Sequence, residues 1–298
     1  WKEAVLFNPL TRSWSMDSDD DGQSGGSDAP GAALPVGVPQ ALVGGGGHAC
    51  VHLRTGGVRC WGVTTRGQIG SGIEGEVCGP RERDRCRLSP QPLPMAQGVV
   101  ELGAGVAHTC ARLETGKVLC WGANGFDQIG DSTGASSSPV AVEQRFLPPV
   151  DLLAVGSFHN CARDLEGAVW CWGWGEFGQL GHGRLFNSWR PVQVTAPGSV
   201  DALALGRAHS CALSPEGLVS CWGHNGYGQL GLGSMDGARR CGEGLQSRGH
   251  CMISPKVVPG LTGVTALAAA GDGEAPRRDS RKYDHRLRPR GACDQRRC

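Results

Sequence analysis

The sequence predicts an all-β protein, a β-propeller with four blades and the start of a fifth. Three observations predict this fold: a self-similar unit that recurs along the chain, four strand-like pieces in every unit, and two cysteines ten residues apart that fit opposite positions of one hairpin. The chain has 298 residues, of which 49 are glycines and 14 are cysteines. Helical repeats share this period, but the density of glycine and β-branched residues argues against helices.

Each unit contains a His-x-Cys motif, a second cysteine followed by Trp-Gly, and a motif close to Gly-Gln-Leu-Gly. The histidines are separated by 60, 51 and 50 residues and are His48, His108, His159 and His209. In the fourth unit the strand-like pieces are VDALALG, HSCALS, LVSCWG and PKVV. We assign the units to 36–98, 99–149, 150–199 and 200–263, with a fifth from 264, inside a propeller region of 36–272.

The cysteine spacing fits a hairpin with a three-residue loop. In LSPEGLV a type I turn followed by Gly217 in the left-handed conformation places Cys211 opposite Cys221. At such a non-hydrogen-bonded position the Cα atoms approach to about 4.5 Å, which is inside the range that a disulfide requires. The same register predicts one disulfide in each blade: Cys50–Cys60, Cys110–Cys120, Cys161–Cys171 and Cys211–Cys221.

Two further cysteine pairs, Cys78/Cys86 and Cys241/Cys251, lie in the enlarged loops of units one and four. A disulfide there would reduce the chain entropy of a long insertion, and we expect these loops to be contact surfaces. For Cys293 and Cys298 we predict no pairing. The even number of cysteines indicates an oxidising, extracytoplasmic compartment: secreted, periplasmic or surface-attached. No targeting segment or membrane-spanning run is visible, and we expect that a missing N-terminal segment could tether the protein.

The remaining repeated side chains have structural interpretations. Gln68, Gln128, Gln179 and Gln229 of the Gly-Gln-Leu-Gly motifs are predicted to be buried amides that bond loop backbone groups. Trp222 and its counterparts are predicted to pack between blades. The glycines between these motifs allow positive φ and close backbone contact.

These units resemble the regulator of chromosome condensation repeat family. Its unit runs from a glycine through His-x-x-Ala-Leu, an acidic-Gly turn and Val-x-x-Trp-Gly-x-Asn to Gly-Gln-Leu-Gly, and the resemblance covers residues 36–272. In this comparison Trp174 of unit three and Val63 of unit one stand at the Asn position, and Asp127 of unit two replaces the first glycine of the last motif. The resemblance implies a seven-bladed propeller, of which this chain would form an incomplete ring.

The histidines allow a metal-site alternative. Each lies two residues before a cysteine, so both side chains project from one strand face and, with the second cysteine, could form a Cys₂His zinc site. The resemblance implies another role, because the family keeps this histidine where the cysteines are absent. We therefore interpret it as a hydrogen-bonding core residue beside a disulfide.

The N-terminal segment 1–35 is acidic and rich in serine and glycine. Asp17, Asp19, Asp21 and Asp28 have the spacing of an EF-hand-like calcium loop around Gly22. Neither flank is helical, so we interpret the segment as a solvated linker, with calcium as the alternative; we expect no other cofactor.

The C-terminal segment 273–298 is rich in arginine and has no strand pattern. We interpret it as foreign to the repeats, from a shifted reading frame or a truncated gene; a basic tail for nucleic acid or membrane is the alternative. The formal net charge is +1 over the whole chain, and the opposite charges of the two terminal segments leave the repeats between them neutral. We therefore expect no nucleic-acid partner.

No nucleophile elbow, phosphate loop or paired-carboxylate pattern is present in the sequence, so we predict a protein that is not an enzyme. We expect a protein-binding or scaffold module that presents propeller-face loops to an extracellular partner of unknown identity. The resemblance implies precedents of two kinds: guanine-nucleotide exchange factors for a small GTPase, and a secreted bacterial member that binds β-lactamase. The exchange-factor function stays an alternative, as does a polysaccharide-binding or polysaccharide-cleaving propeller.

Overall fold

The computed structural model describes residues 5–8, 13–16, 38–54, 57–79, 84–94, 98–195, 199–234, 239–241 and 249–269. These residues form 20 β-strands and no helix; accordingly, the described part of the chain holds no helix suited to crossing a membrane. The chain divides into two compact units, residues 1–36 and 37–298. The first unit contains one antiparallel hairpin of β1 (Val5–Asn8) and β2 (Ser13–Met16).

The second unit contains four antiparallel sheets that follow one another along the chain. Each sheet is a blade in which four strands pair in chain order. Blade 1 has β3 (Pro39–Gly44), β4 (His48–Leu53), β5 (Val58–Val63) and β7 (Arg85–Pro92). Blade 2 has β8 (Val99–Ala104), β9 (His108–Leu113), β10 (Val118–Ala123) and β11 (Ser137–Glu143). Blade 3 has β12 (Val150–Val155), β13 (His159–Asp164), β14 (Val169–Gly173) and β15 (Ser188–Gln193). Blade 4 has β16 (Ala202–Leu205), β17 (His209–Leu213), β18 (Val219–His224) and β20 (Gly249–Val257).

The enlarged loops of the first and fourth units each add a fifth, outermost strand. These strands are β6 (Glu76–Val77), which pairs with β7, and β19 (Arg239–Cys241), which pairs with β20. The two insertions therefore extend their blades outward, away from the first strands of the sheet. The all-β propeller fold that the sequence predicts is confirmed.

The central hairpin of each blade has the register that its turn chemistry dictates. In blade 4, Gly217 adopts φ 76°, and its N–H donates to the Ser214 carbonyl at 2.9 Å. Leu213 then pairs with Val219, and Cys211 with Cys221. A left-handed residue at this point favours glycine, because a side chain there is strained. The expected hairpin register is confirmed.

Disulfides join the two central strands of every blade. The pairs Cys50–Cys60, Cys110–Cys120, Cys161–Cys171 and Cys211–Cys221 each have a Cα–Cα distance of 4.1 Å. Such a short closed loop gives each disulfide about 2–3 kcal/mol of stabilisation. A fifth disulfide, Cys78–Cys86, joins the base of the blade 1 insertion with a Cα–Cα distance of 6.0 Å.

The hydrophobic core lies between consecutive blades. Between blades 2 and 3, for example, Cys110, Cys120 and Ile129 of one blade pack against Leu153 and Trp172 of the next. The other two interfaces repeat this arrangement, and the tryptophans at all three are fully buried: Trp121, Trp172 and Trp222. The predicted position of these tryptophans between blades is confirmed, and stability depends on contact between neighbouring repeats.

Residues 264–269 continue along blade 4 without forming a strand. The N–H of Val264 donates to the Gly217 carbonyl at 3.1 Å. The N–H of Val150, which begins blade 3, makes the equivalent bond to Gly116 at 2.9 Å. Val264 therefore lies where the first strand of a next blade begins, as the sequence predicts for the start of a fifth unit.

Candidate protein-binding face

A chain of hydrogen bonds crosses each of the three blade interfaces. In each case the histidine that begins the second strand contacts, through Nε2, the side-chain oxygen of the residue that follows the histidine of the next blade. The distances are 2.8, 2.9 and 2.8 Å for His48–Thr109, His108–Asn160 and His159–Ser210. Histidine and its partner thus come from different repeats, and each interface has its own polar contact inside an apolar core.

The residue that contacts the histidine also donates a side-chain hydrogen bond to a backbone carbonyl of the preceding blade. This carbonyl belongs to the glutamine of the Gly-Gln-Leu-Gly motif, and it also accepts the indole N–H of the tryptophan from the next blade. The side-chain donors Thr109, Asn160 and Ser210 lie 3.0, 2.7 and 2.9 Å from the carbonyls of Gln68, Gln128 and Gln179. The indole nitrogens of Trp121, Trp172 and Trp222 lie 2.9, 3.2 and 2.8 Å from the same carbonyls. We call this set of contacts the relay.

The relay determines which ring nitrogen of each histidine carries the proton. The hydroxyls of Thr109 and Ser210 donate to the glutamine carbonyls, and the Oδ1 atom of Asn160 can only accept. Nε2–H must therefore be the donor, and Nδ1 is unprotonated in the neutral ring.

Burial keeps these histidines neutral. Desolvation, joined by repulsion from His108, lowers the pKa of His48 to about 4. Desolvation also lowers the pKa of His108 to about 4 and that of His159 to about 3. The three rings are therefore uncharged donors at neutral pH, which is the form that the relay requires.

A glycine three residues before each histidine makes room for the ring. At Gly45, Gly105 and Gly206 a Cβ atom would collide with the imidazole of the histidine three positions later. The glycine N–H also donates to the histidine carbonyl, at 2.8 Å for Gly45 and 3.0 Å for Gly206. This position therefore requires glycine, because a side chain there would collide with the histidine ring inside the tight turn.

The glutamine side chains organise the loop after the third strand. In every unit the amide Oε1 accepts the N–H of the residue two positions earlier, at distances of 2.8 to 3.0 Å: Gln68 from Arg66, Gln128 from Phe126, Gln179 from Phe177 and Gln229 from Tyr227. The loop role predicted for these amides is confirmed. Three of them are buried as predicted, whereas Gln229 is half-buried. The backbone carbonyls of the first three glutamines accept the relay hydrogen bonds from the next blade. One residue therefore orders its own loop with its side chain and contacts the next blade with its backbone.

The loops at the relay end of the blades carry a row of aromatic rings. By topology, the loop between the first and second strands and the loop between the third and fourth strands leave the blade at the same end, which we call the relay face. Ring centroids lie 5.0 to 5.8 Å apart along the row Phe126, Phe158, Trp174, Phe177, His224 and Tyr227. The row runs from blade 2 across blade 3 to blade 4.

The row changes from buried to exposed along its length. Phe158, Trp174 and Phe177 are buried, whereas Phe126 and His224 are half-buried. Tyr227 is 88% exposed. A rigid stack that ends in an exposed tyrosine supplies a large amphipathic ring at low cost in conformational entropy, which is what a protein-binding surface requires.

The histidine–cysteine motif does not form a metal site. The sulfur atoms are joined in disulfides, and the histidine Nε2 atoms face the next blade. Within the described ranges, no cluster of three or more histidine, cysteine or acidic side chains could hold a metal ion. The proposed calcium residues Asp17, Asp19, Asp21 and Asp28 lie outside the described residues, as do Cys293, Cys298 and the arginine-rich segment.

The predicted disulfide between Cys241 and Cys251 is not formed in the structure. Both residues are buried thiols, and their hydrogen bond, together with burial, raises the pKa of the Cys241 thiol. The two insertions have the same strand register: Cys251 lies opposite Arg239, two residues before Cys241, and Cys86 lies opposite Glu76, two residues before Cys78. Both pairs are therefore diagonal across their inserted hairpins, and the structure joins the pair in blade 1.

The position of the family asparagine is also corrected. Trp174 and Val63 each donate their N–H to the carbonyl of the residue directly before the histidine of the same blade. Ala123 and His224 make the same bond, so these four residues are equivalent. Gly175 and Thr64 therefore occupy the asparagine position. In blades 2 and 4 that asparagine accepts a backbone N–H with its Oδ1, at 3.1 Å for Asn124 and 3.2 Å for Asn225.

In blade 3 a side chain accepts a bond that a backbone carbonyl accepts in blades 2 and 4, where Asn124 and Asn225 donate their N–H to Ser136 and His250. Asn187 accepts the N–H of Gly175 at 3.0 Å, and a Cβ at Gly175 would collide with the carbonyl of Phe186. Gly175 therefore lies directly against residues 186 and 187 of the same loop.

The repeat pattern of the sequence did not reveal the relay partners or the aromatic row. Thr109, Asn160 and Ser210 occupy the variable position between histidine and cysteine, and the signal that could have found them is that all three can accept a hydrogen bond. The aromatic rings follow no fixed spacing, because each blade contributes them from a different loop position. Only the topology brings them together.

The fold and its repeated interfaces define a repeat β-propeller stabilised by disulfides within the blades. The chain contains repeats of the regulator of chromosome condensation (RCC1) repeat family. The RCC1 repeat signature matches residues 99–128, 150–179 and 200–229, and a second form of the signature matches residues 166–213.

Comparisons with individual proteins agree with this family. The chain is 34% identical over 207 residues to the ultraviolet-B receptor UVR8 of Arabidopsis thaliana, covering 65% of this chain and 44% of the relative. It is 30% identical over 150 residues to the probable E3 ubiquitin-protein ligase HERC4 of Rattus norvegicus, covering 49% of this chain and 13% of the relative. The chain thus spans less than half the length of these relatives.

Two solved structures share the fold. Human WBSCR16 has a TM-score of 0.65 at 20% identity, covering 91% of this chain and 62% of that chain. Prp20p of Saccharomyces cerevisiae, whose structure is described together with its binding to Gsp1p and histones, has a TM-score of 0.62 at 19% identity, covering 80% of this chain and 56% of that chain. At this identity the similarity establishes the fold alone.

Proposed function

We propose that this chain is a non-enzymatic protein-binding module whose relay face binds a partner in an extracytoplasmic, oxidising compartment. The observation that carries the proposal is the aromatic row, which is rigid where it is buried and ends in Tyr227 with 88% of its surface exposed. Large exposed aromatic side chains on a rigid base are typical centres of protein interfaces. Propeller loops are also where functional residues concentrate in such folds.

The disulfides support the choice of compartment. Five cysteine pairs are joined in the described residues, and structural disulfides of this density are rare in reducing compartments. Binding to a small GTPase, for which the Gsp1p binding of Prp20p is a precedent, is less well supported, because such a partner belongs to a reducing compartment. A polysaccharide site would require exposed carboxylates grouped with exposed rings, whereas three of the six rings are buried here.

Tyr227 has a matched control on the opposite end of the blades. Leu165 is 70% exposed and lies in the hairpin between the second and third strands of blade 3, away from the relay face. Immobilised native protein, Tyr227→Ser and Leu165→Ser are each exposed to the secreted fraction of the source organism, and bound proteins are quantified by mass spectrometry. We expect a partner that the native protein and Leu165→Ser retain and that Tyr227→Ser loses.

Equal recovery of every bound protein by the three baits would contradict a binding role for the relay face. Alkylation of the native protein without reductant, followed by intact mass measurement, tests the compartment separately. We expect the ten cysteines of the five disulfides to resist alkylation. If these cysteines were alkylated, the extracytoplasmic part of the proposal would be wrong, whichever surface binds.

A further inference from the structure

The outer rim of blades 2 and 3 holds a guanidinium group against two aromatic rings. The Cζ atom of Arg190 lies 4.5 Å from the ring centroid of Phe146 and 4.7 Å from that of Trp189. The two rings are 5.4 Å apart and inclined at 72°, so they form a corner into which the cation fits. Both distances are within the range of a cation–π interaction. We call this group the Arg190 corner.

Two blades build the corner. Trp189 and Arg190 belong to β15, the outermost strand of blade 3, and Phe146 lies in the connection that follows β11, the outermost strand of blade 2. The side-chain amide of Gln144 donates to the Trp189 carbonyl at 3.4 Å, which ties this connection to the strand. The Ser188 hydroxyl donates to the Arg190 carbonyl at 2.7 Å. The corner is therefore a property of the blade interface rather than of one loop.

The cation in the corner is exposed and has no acidic partner among the described ion pairs. Arg190 is exposed, as is the neighbouring cation Arg145, and Phe146 is 52% exposed. The acid at the end of β11, Glu143, is already paired with Lys117 at 3.0 Å. The surface around the corner is therefore cationic, with the positive charge held in one orientation by the rings.

We propose that the Arg190 corner binds an acidic segment of a partner protein. Arginine stacked on aromatic rings keeps its N–H edge available for a carboxylate, which it can bind with two parallel hydrogen bonds. The exposed ring of Phe146 would cover an apolar side chain beside that carboxylate. Arginine and tryptophan are the residues that most often dominate binding energy at interfaces, and charge complementarity selects the acidic partner.

This site is separate from the relay face. The aromatic row belongs to the loops at one end of the blades, whereas the corner belongs to the outermost strands. Substitution of Tyr227 leaves the corner intact, so the two proposals fail independently.

The test uses a phage-displayed library of random 12-residue peptides selected on the folded native protein at low salt. We expect the enriched peptides to be acidic, and one of them, synthesised with blocked ends, to bind about tenfold more weakly to Arg190→Ala than to the native protein. Arg190→Lys keeps the charge but loses the planar fork, and should bind nearly as weakly as Arg190→Ala.

Arg184→Ala is the matched control, because Arg184 is also exposed but lies 6.0 Å from a single ring, that of Phe186; its affinity for the peptide should equal that of the native protein. Enrichment of apolar peptides, no enrichment, or equal binding to Arg190→Ala would each overturn the proposal. Self-association of the native protein that Arg190→Ala abolishes, measured by sedimentation, would overturn it in favour of a second copy of this chain.

Discussion

Trp61 and Trp121 occupy the same position in consecutive repeats, yet their surroundings differ. Trp121 is fully buried and donates its indole N–H to the Gln68 carbonyl of the preceding blade. Trp61 is half-buried, and Ala49 stands beside it where the next three blades carry Thr109, Asn160 and Ser210. Blade 1 thus has the blade fold but lacks the side chain that would receive a relay contact from an earlier blade.

This difference teaches which part of the repeat makes a blade and which part joins blades. The hairpin, the disulfide and the glutamine loop are equivalent in blade 1 and in blades 2 to 4. Within the relay, the groups of blade 1 that would face a preceding blade are the ones that differ. The residue after the histidine is therefore an interface residue, and its identity matters only where another blade supplies a histidine.

Acidification should produce the largest loss of stability, because it affects the relay histidines of all three blade interfaces at once. Each relay histidine has a pKa in the folded protein well below its unfolded value of about 6.5: about 4 for His48 and His108 and about 3 for His159. Its contribution to the free energy of unfolding is therefore complete above pH 6.5 and is lost as the pH falls toward the folded pKa. Between these two pKa values, each histidine lowers the free energy of unfolding by about 1.4 kcal/mol for every pH unit of acidification. The three together lower it by roughly 4 kcal/mol per pH unit.

Urea unfolding at several pH values between 7 and 4 measures this loss. We expect the free energy of unfolding to fall steeply below pH 6. A free energy that stays level from pH 7 to pH 5 would mean that the histidines titrate normally in the folded protein.

Removal of one relay partner should have the next largest effect. Thr109→Ala leaves the Nε2–H of His48 buried without an acceptor and removes one donor from the Gln68 carbonyl. The expected cost is about 1–3 kcal/mol in urea unfolding. Thr109→Ser keeps the hydroxyl and is the control. Equal free energies of unfolding for the two variants would show that the relay does not contribute to stability.

Loss of a single indole donor should reduce stability less than loss of a relay partner. Trp172→Phe keeps an aromatic ring in the interface but removes the N–H that lies 3.2 Å from the Gln128 carbonyl. We expect a loss of about 1–2 kcal/mol, since Asn160 still donates to that carbonyl. Trp61→Phe is the comparison in blade 1, and thermal unfolding should show a smaller shift for it; equal shifts would indicate that packing alone accounts for both.

Ala49→Thr should have the smallest effect. The new hydroxyl would lie at the edge of blade 1, where the described residues supply no histidine from an earlier blade. We expect a change within about 0.5 kcal/mol in urea unfolding. A gain of more than about 1 kcal/mol would show that position 49 already has a polar partner.

The sequence was sufficient for the features that repeat within a unit. The strand pattern, the hairpin register around Gly217, the loop role of Gln229 and the position of Trp222 all follow from local chemistry that recurs four times. The different states of Cys78–Cys86 and Cys241/Cys251 could not be predicted, because both pairs lie in inserted hairpins of the same register. The assignment of Trp174 to the asparagine position was a counting error, because the motif Trp-Gly-x-Asn, counted from Trp172, already places Gly175 there.

Contacts between units were harder to predict than contacts within them. A core role for the histidines follows from the resemblance, but the partner of His108 is Asn160, in another repeat and at a variable position. Likewise Phe126 and Tyr227 lie about a hundred residues apart, and only the stacking of blades places both in one row. The Arg190 corner has the same origin, since Phe146 and Arg190 come from different blades.

Nitrogen-15 NMR of the histidine rings tests the relay most directly. With signals assigned through single histidine-to-glutamine variants, the relay predicts neutral rings protonated at Nε2 for His48, His108 and His159, with no titration from pH 8 to pH 5. Protonation at Nδ1, or titration near pH 6.5, would contradict it.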